Sequence, residues 1–277
     1  MTISFLKMNA SGNDFIIVDV RHSPWHEDIH LLKADISKIS NRKNVGCDQF
    51  VILKASEKAD ILMDIHNFDG SVSGACGNAT RCVASLLMEE KDIDRVIIET
   101  SAGILRAWKE GDLIAVNMGK ANFDWQQIPL KSKKNTDDFT IAGFKKFNFS
   151  AANVGNPHIV SFVTSDLTDK EFFDFGPKLE TNNLFPEKTN VEFAQILSKN
   201  HIKVRVWERG AGETLACGSG ACAVTAIALK KNLVDDKRIK VSFKGGDIFI
   251  EQQDNGEIVM IGDYNRIFSG VLDADFL

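Results

Sequence analysis

The chain has 277 residues, 44% of them hydrophobic and 26% charged, with a net charge of −5. That is enough apolar text for one large or two medium cores, and no basic stripe is available for nucleic acid. The longest apolar stretch, around Ala221 to Leu229, is too short for a bilayer, so no membrane partner is expected.

The opening Met1-Thr2-Ile3-Ser4-Phe5-Leu6 lacks the basic and long apolar segments of a secretion signal. A cytoplasmic, reducing location is the expectation. Five cysteines (Cys47, Cys76, Cys82, Cys217, Cys222) are an odd count, and no Cys-x-x-Cys pair occurs. Neither a disulfide framework nor a zinc site fits, so no metal is expected.

In chain order, a helical pattern at Ile29, Leu32, Ile36 and Ile39 precedes Gln49 and Asn67. Ala75-Cys76-Gly77-Asn78 then opens a helix with Ala79, Cys82, Val83, Leu86 and Leu87 on one face. Strand-like text follows: Arg95-Val96-Ile97-Ile98 leads through Gly103 to Ile114-Ala115-Val116-Asn117-Met118.

The text then starts again. Gly155-Asn156 matches Gly12-Asn13 at an offset of 143, and a second candidate helix covers Phe172 to Leu179. At an offset of 141, Asn190 falls on Gln49, Glu208 on Asn67, and Ala216-Cys217-Gly218-Ser219 on the first cysteine motif. Ala221 to Leu229 is apolar on nearly every side, as in a helix buried all round. Strands at Arg238-Ile239-Lys240-Val241, then past Gly246 at Ile248-Phe249-Ile250 and Ile258-Val259-Met260-Ile261, close the second copy.

Four matching stations in one order predict two homologous α/β (α+β) halves related by a pseudo-twofold axis. Each is a curved, mainly antiparallel sheet or barrel wrapped around a central helix whose first turn carries a cysteine. The expected boundaries are residues 1–120, joined by 264–277, and residues 121–263, with the join near Gly119 to Phe123.

Taken alone, either cysteine is explained as a helix cap beside turn glycines. Cysteine at both equivalent sites points instead to proton chemistry at carbon, where inversion needs one base and one acid on opposite faces. Thiols suit the task because a helix N-terminus lowers their ordinary pKa of about 8.5 toward neutrality. The unpaired amides of Gly77-Asn78 and Gly218-Ser219 suit a carboxylate and the charge that develops as the proton leaves. Cys82 and Cys222 read as core, and Cys47 has no partner in the repeat. The symmetry breaks where Phe15 stands opposite His158 and Asn67 opposite Glu208. His158 and Glu208 could tune the thiols while Arg209 pairs with a substrate carboxylate; the plainer reading makes them satisfied surface groups, and His66 stays under it. No dinucleotide, phosphate-loop or serine-hydrolase motif is present.

The segments Ser11-Gly12-Asn13-Asp14-Phe15, Asp48-Gln49, Asn67-Phe68-Asp69-Gly70, Ala75-Cys76-Gly77-Asn78, Gly155-Asn156-Pro157-His158, Thr189-Asn190-Val191-Glu192-Phe193, Glu208-Arg209-Gly210 and Ala216-Cys217-Gly218 resemble the diaminopimelate epimerase family nearly end to end. The resemblance implies conversion of LL-2,6-diaminopimelate to the meso isomer, without pyridoxal phosphate or any other cofactor, in lysine and peptidoglycan synthesis. It places the catalytic pair on Cys76 and Cys217 and thiol-modulating groups on His158 and Glu208. It places substrate contacts on Asn13, Gln49, Asn67, Gly77, Asn78, Asn156, Asn190, Glu208, Arg209, Gly218 and Ser219. It also implies a homodimer, although Phe268 stands where the family usually has a tyrosine. Ala10 and Asn78-Ala79-Thr80-Arg81 also depart from the common pattern. Proline racemase-like enzymes share the two-thiol logic but need no distal ammonium site; a thiol redox or metal-binding protein is the reading from another class.

Overall fold

A computed structural model describes residues 2–21 and 33–273. The chain divides into two compact units, Met1–Val116 with Gly262–Leu277, and Asn117–Ile261. The division falls a few residues before the join expected from the sequence.

The first unit runs β1 (Thr2–Ala10), β2 (Asn13–Asp19), α1 (Lys33–Ser40), β3 (Gln49–Lys54), β4 (Ile61–Asn67), β5 (Val72–Ser73), α2 (Gly77–Lys91), β6 (Arg95–Thr100) and β7 (Gly103–Glu110). β8 (Leu113–Lys120) carries the chain across the division. The second unit continues with β9 (Ser150–Asn153), β10 (Pro157–Phe162), α3 (Asp169–Glu180), β11 (Asn190–Ser198), β12 (His201–Glu208), β13 (Gly212–Glu213), α4 (Gly218–Lys230), β14 (Arg238–Phe243), β15 (Gly246–Gln252) and β16 (Glu257–Gly262). β17 (Asn265–Asp273) returns to the first unit and pairs antiparallel with β1.

The repeat holds at the level of register. In the first unit β2 and β3 run parallel with Phe15 opposite Gln49, and β3 and β4 antiparallel with Gln49 opposite Asn67. In the second, β10 and β11 run parallel with His158 opposite Asn190, and β11 pairs antiparallel with β12 through Val191 and Trp207. The next position in that ladder sets Asn190 toward Glu208. A one-residue slip would turn every side chain to the other face, so the equivalence is specific.

Each cysteine-headed helix packs against strands of its own unit. α4 touches β9, β10, β11, β12, β14 and β15, and α2 touches β1, β6 and β7. α4 is buried along most of its length, as its all-round apolar text predicts. α2 was expected to show one apolar face, yet Thr80, Arg81 and Ser85 are buried as well while Leu86 is only half-buried. The polar side chains are accommodated by hydrogen bonds: Thr80 Oγ1 donates to the Cys76 carbonyl and Ser85 Oγ to the Cys82 carbonyl. Ile36 and Ile39 of α1 enter the core beneath β1, β2 and β3, whereas Ile29 and Leu32 lie outside the described residues. α3 covers Phe172 to Leu179 as expected and starts with a capping box between Thr168 and Glu171. β7 was not foreseen, because Gly103-Ile104-Leu105-Arg106-Ala107-Trp108-Lys109-Glu110 buries only Ala107 fully. Among the described residues, no helix is long and apolar enough to cross a membrane.

Candidate active site

Cys76 is the N-cap of α2, in extended backbone, and its Sγ accepts the Ala79 amide at 3.4 Å. Cys217 occupies the same position on α4, and its Sγ accepts the Gly220 amide at 3.3 Å. In both units the thiol is therefore fixed by the third helical amide. The amides of Gly77-Asn78 and Gly218-Ser219 belong to a first turn that has no intrahelical acceptors for them. Neither cysteine is in a disulfide, nor are the other three.

Around Cys76, Asn13 points its Oδ1 at the thiol, 3.8 Å from Sγ. The direction of that amide is set from behind, where Nδ2 donates to Asp48 Oδ2 at 2.9 Å. Asp48 in turn belongs to an ion cluster with Asp14, Arg42 and Lys7. Burial works to raise the Asp14 carboxyl, but hydrogen bonds from Arg42 and Lys7 and the Lys7 charge outweigh it and hold the group well below the usual range, whereas burial pushes Asp48 up. Gln49 Nε2 donates to Asn67 Oδ1 at 3.1 Å across the β3–β4 ladder. Gln49 Oε1 and Asn78 Oδ1 are buried acceptors without a hydrogen-bond partner, an arrangement that suits a donor arriving with a ligand.

Around Cys217 the partners are ionisable. Its S–H donates to Glu208 Oε2 at 3.2 Å, the other Glu208 oxygen accepts the Thr214 hydroxyl, and Ser219 Oγ lies 3.5 Å from Sγ. Burial first, then the neighbouring Glu208 and Glu192 carboxylates, pushes the thiol well above its ordinary value. This corrects the expectation that the helix end would draw the thiol toward neutrality. Cys217 is only 4% exposed, and desolvation plus two negative neighbours outweighs the helix dipole. Burial likewise raises Glu208, with Glu192 adding to it. A thiol and a carboxyl that both resist ionisation, one hydrogen bond apart, can exchange a single proton at small cost.

His158 and Glu192 are both fully buried, with Nδ1 and Oε1 2.6 Å apart, and His158 Nε2 lies 2.8 Å from Asn156 Oδ1. Asn190 Nδ2 donates to the Pro157 carbonyl, and its Oδ1 accepts the Arg209 amide at 2.9 Å. Arg209 itself is exposed, with Nη1 reaching the Glu187 carbonyl at 3.3 Å. Glu180 brackets the turn, accepting Trp207 Nε1 at 2.8 Å and the Gly210 amide at 3.0 Å. Cys82 and Cys222 are fully buried and Cys47 nearly so. The last is hydrogen-bonded to Ser40. His66, half-buried, lies 3.4 Å from Asp64.

The structure thus joins Asn13 to Cys76 and Gln49 to Asn67 in the first unit. In the second it joins Glu208 and Ser219 to Cys217, Asn156 to His158, and Asn190 to the Arg209 backbone. Asp48, Glu192, Thr214 and Glu180 were not singled out as site residues. Glu192 left one sequence signal: a carboxylate in Asn190-Val191-Glu192-Phe193-Ala194, two residues from Asn190 and so on its face of an otherwise apolar strand.

The family description "Diaminopimelate epimerase" matches residues 5–124 and 150–267. A diaminopimelate epimerase of Acidiphilium cryptum is 43% identical over 275 residues, covering 99% of this chain and 97% of the relative. That of Pelagibacter ubique is 40% identical over 273 residues, covering 96% and 97%. Among solved structures, a hydroxyproline epimerase from Agrobacterium vitis aligns with a TM-score of 0.69 at 12% identity, covering 99% of this chain and 93% of that one. A predicted epimerase from Pseudomonas aeruginosa aligns at 0.67 and 15% identity, covering 98% and 99%; these two likenesses concern the fold. With both cysteine-headed helices inside the matched segments, the chain belongs to the diaminopimelate epimerase family.

Proposed function

We propose that this chain is an isomerase that interconverts LL-2,6-diaminopimelate and meso-diaminopimelate without pyridoxal phosphate, with Cys76 and Cys217 as the acid/base pair. The observation that carries the reading is the repeated cap: the same residue type, on the same helix position, held by the same amide in both units. A cysteine is a poor substitute for Ser, Thr or Asp as a cap, so its presence twice calls for a chemical reason.

In the LL-to-meso direction Cys217 passes its thiol proton to Glu208 and, as thiolate, takes the α-proton. The electron pair left on carbon is delocalised into the adjacent carboxylate, which the first-turn amides stabilise. Cys76 then gives its thiol proton to the opposite face and recovers one from solvent, while Glu208 releases to solvent the proton it accepted. The roles reverse for the meso substrate; the direction assigned to each thiol rests on the family resemblance. Asn13, Gln49, Asn67, Gly77, Asn78, Asn156, Asn190, Glu208, Arg209, Gly218 and Ser219 are the proposed substrate contacts, and His158 and Glu208 the groups that modulate the thiols. The partnerless Asn78 Oδ1 and Gln49 Oε1 support a substrate bearing ammonium donors.

The enzyme is proposed to serve lysine and peptidoglycan synthesis in the cytoplasm as a homodimer. Exposed Ile267, Phe268 and Val271 on β17 support the dimer, with Phe268 packed edge-on against Phe5. The test is conversion of purified LL-diaminopimelate by protein supplied with no cofactor. Cys76→Ala and Cys217→Ala should each abolish it, and Cys82→Ala, Cys222→Ala and Cys47→Ala should leave it in proportion to folded protein. Turnover near wild type in either of the first two variants would end the two-thiol reading.

A further inference from the structure

His158 and Glu192 form the most deeply buried ion-pairing contact in the second unit among the described residues, with neither side chain exposed at all. The register explains how they meet. β10 and β11 run parallel with His158 opposite Asn190, so residues 158, 190 and 192 project from one face of adjacent strands. That face meets the first turn of α4. A Cβ at Gly220 would stand 3.0 Å from Glu192 Oε1 and 3.3 Å from Cys217 Sγ. Gly220 is thus the gap through which the carboxylate approaches the thiol, and the two atoms are less than about 7 Å apart, close enough for charge to be felt in a low-dielectric interior.

Stability gives no reason for a carboxylate here. Glu192 Oε2 is buried without a hydrogen-bond partner, and a buried ion pair replaced by neutral groups of similar shape is commonly no less stable. A glutamine would fill the same volume and still accept from Nδ1. We propose that Glu192 is a positioning residue of the active site: it holds the His158 ring by Nδ1 and, through the space left by Gly220, places a negative charge behind the Cys217 thiol. The role in turnover rests on the proposed epimerase reading; the effect on the thiol does not.

The ionisable groups facing this position are His158 on β10, Glu208 on β12 and Cys217 at the head of α4. The Glu192 charge favours the protonated thiol, in line with the upward push on Cys217 that burial, Glu208 and Glu192 together produce. With the shared proton on His158 Nδ1, Glu192 carries the negative charge, and a neutral amide in its place moves the thiol down.

The experiment compares wild type, Glu192→Gln and Glu192→Asp. Circular dichroism establishes folding, alkylation of Cys217 by iodoacetamide is followed by mass spectrometry from pH 6 to 10, and kcat and KM are measured with diaminopimelate over the same range. In Glu192→Gln the Cys217 alkylation curve should shift to lower pH, with reactivity at neutral pH rising on the order of three- to tenfold. The matching limb of the kcat profile should move with it, while KM stays within about twofold. Glu192→Asp keeps the charge but shortens the reach to Nδ1. It should leave the alkylation curve near wild type and lower kcat. A folded Glu192→Gln protein with both pH curves unmoved would overturn the proposal, as would identical behaviour of the two variants. A shifted alkylation curve in a protein that never epimerises diaminopimelate would retain the thiol effect and reject the proposed substrate.

Discussion

Replacing Arg81 by Met removes a guanidinium from a fully buried position on α2. Arg81 Nε donates to the Asp263 carbonyl at 3.0 Å and Nη2 to Ser11 Oγ at 2.9 Å. Ser11 in turn donates from both its amide and its hydroxyl to Asp263 Oδ1. The knot holds Ser11 at φ 51, a left-handed conformation unfavourable for a side-chain-bearing residue. Each hydrogen bond from a charged group is worth about 1.5–3 kcal/mol, and these two together about 3–6. Methionine refills most of the volume, the guanidinium need no longer be desolvated, and the half-exposed Asp263 carboxylate keeps its water, so the net loss is about 3 kcal/mol. Asn13, which faces Cys76, begins β2 two residues after Ser11, so turnover should fall along with stability. Arg81→Lys keeps the charge but cannot span both acceptors, and should recover less than half of the loss. Urea titration followed by circular dichroism, with kcat measured in parallel, gives both quantities. A folded Arg81→Met protein destabilised by less than about 1 kcal/mol with unchanged kcat would refute the reasoning.

Arg209→Ala should weaken diaminopimelate binding by on the order of 2–5 kcal/mol, since it leaves a substrate carboxylate underpaired; steady-state kinetics with unchanged kcat and KM would show that Arg209 does not touch substrate. Glu180→Gln should raise KM about tenfold with a smaller change in kcat, because one of the two N–H groups flanking Glu208 and Arg209 then faces an amide donor instead of an acceptor; equal kinetics for the two proteins would count against the clamp. Asp14 is held below its ordinary carboxyl range, so its contribution is complete above its unfolded value of 3.8 and is lost as pH falls through and below that value. Acid titration of Asp14→Asn should accordingly show a flatter loss of stability between pH 5 and pH 2 than wild type, and parallel curves would contradict the assignment.

The parts of this molecule that repeat were visible in the text, because each repeated element needs the same residue in the same place. Cysteine caps, the Gln49–Asn67 and Asn190–Glu208 stations, and the all-round apolar α4 could be aligned by counting. What the text hid depends on contacts between distant segments. Arg81 looks like a surface residue on a helix until Ser11 and Asp263 close over it. Glu192 looks like an ordinary strand carboxylate until the β10–β11 register sets it against His158. The direction of the Cys217 shift was misjudged for the same reason, since a helix end is local whereas the burial and carboxylates that overcome it come from β11 and β12. β7 escaped notice because its charged, half-exposed residues do not alternate cleanly.

The central claim is that two thiols act on one carbon, and deuterium reports on it directly. LL-diaminopimelate is incubated with the enzyme in deuterated water, and substrate and product are recovered at a few per cent conversion for mass and stereochemical analysis. A thiol of the free enzyme equilibrates with deuterated water between turnovers, so the acid that completes the reaction delivers deuterium, while the base holds the hydrogen it has just taken only within one bound encounter and returns that same hydrogen when the step reverses. The account predicts first-formed meso product carrying one deuterium at the inverted carbon and recovered LL substrate still protiated. Deuterium in recovered substrate at a rate matching product formation, or product that retains the substrate's own hydrogen, would contradict it.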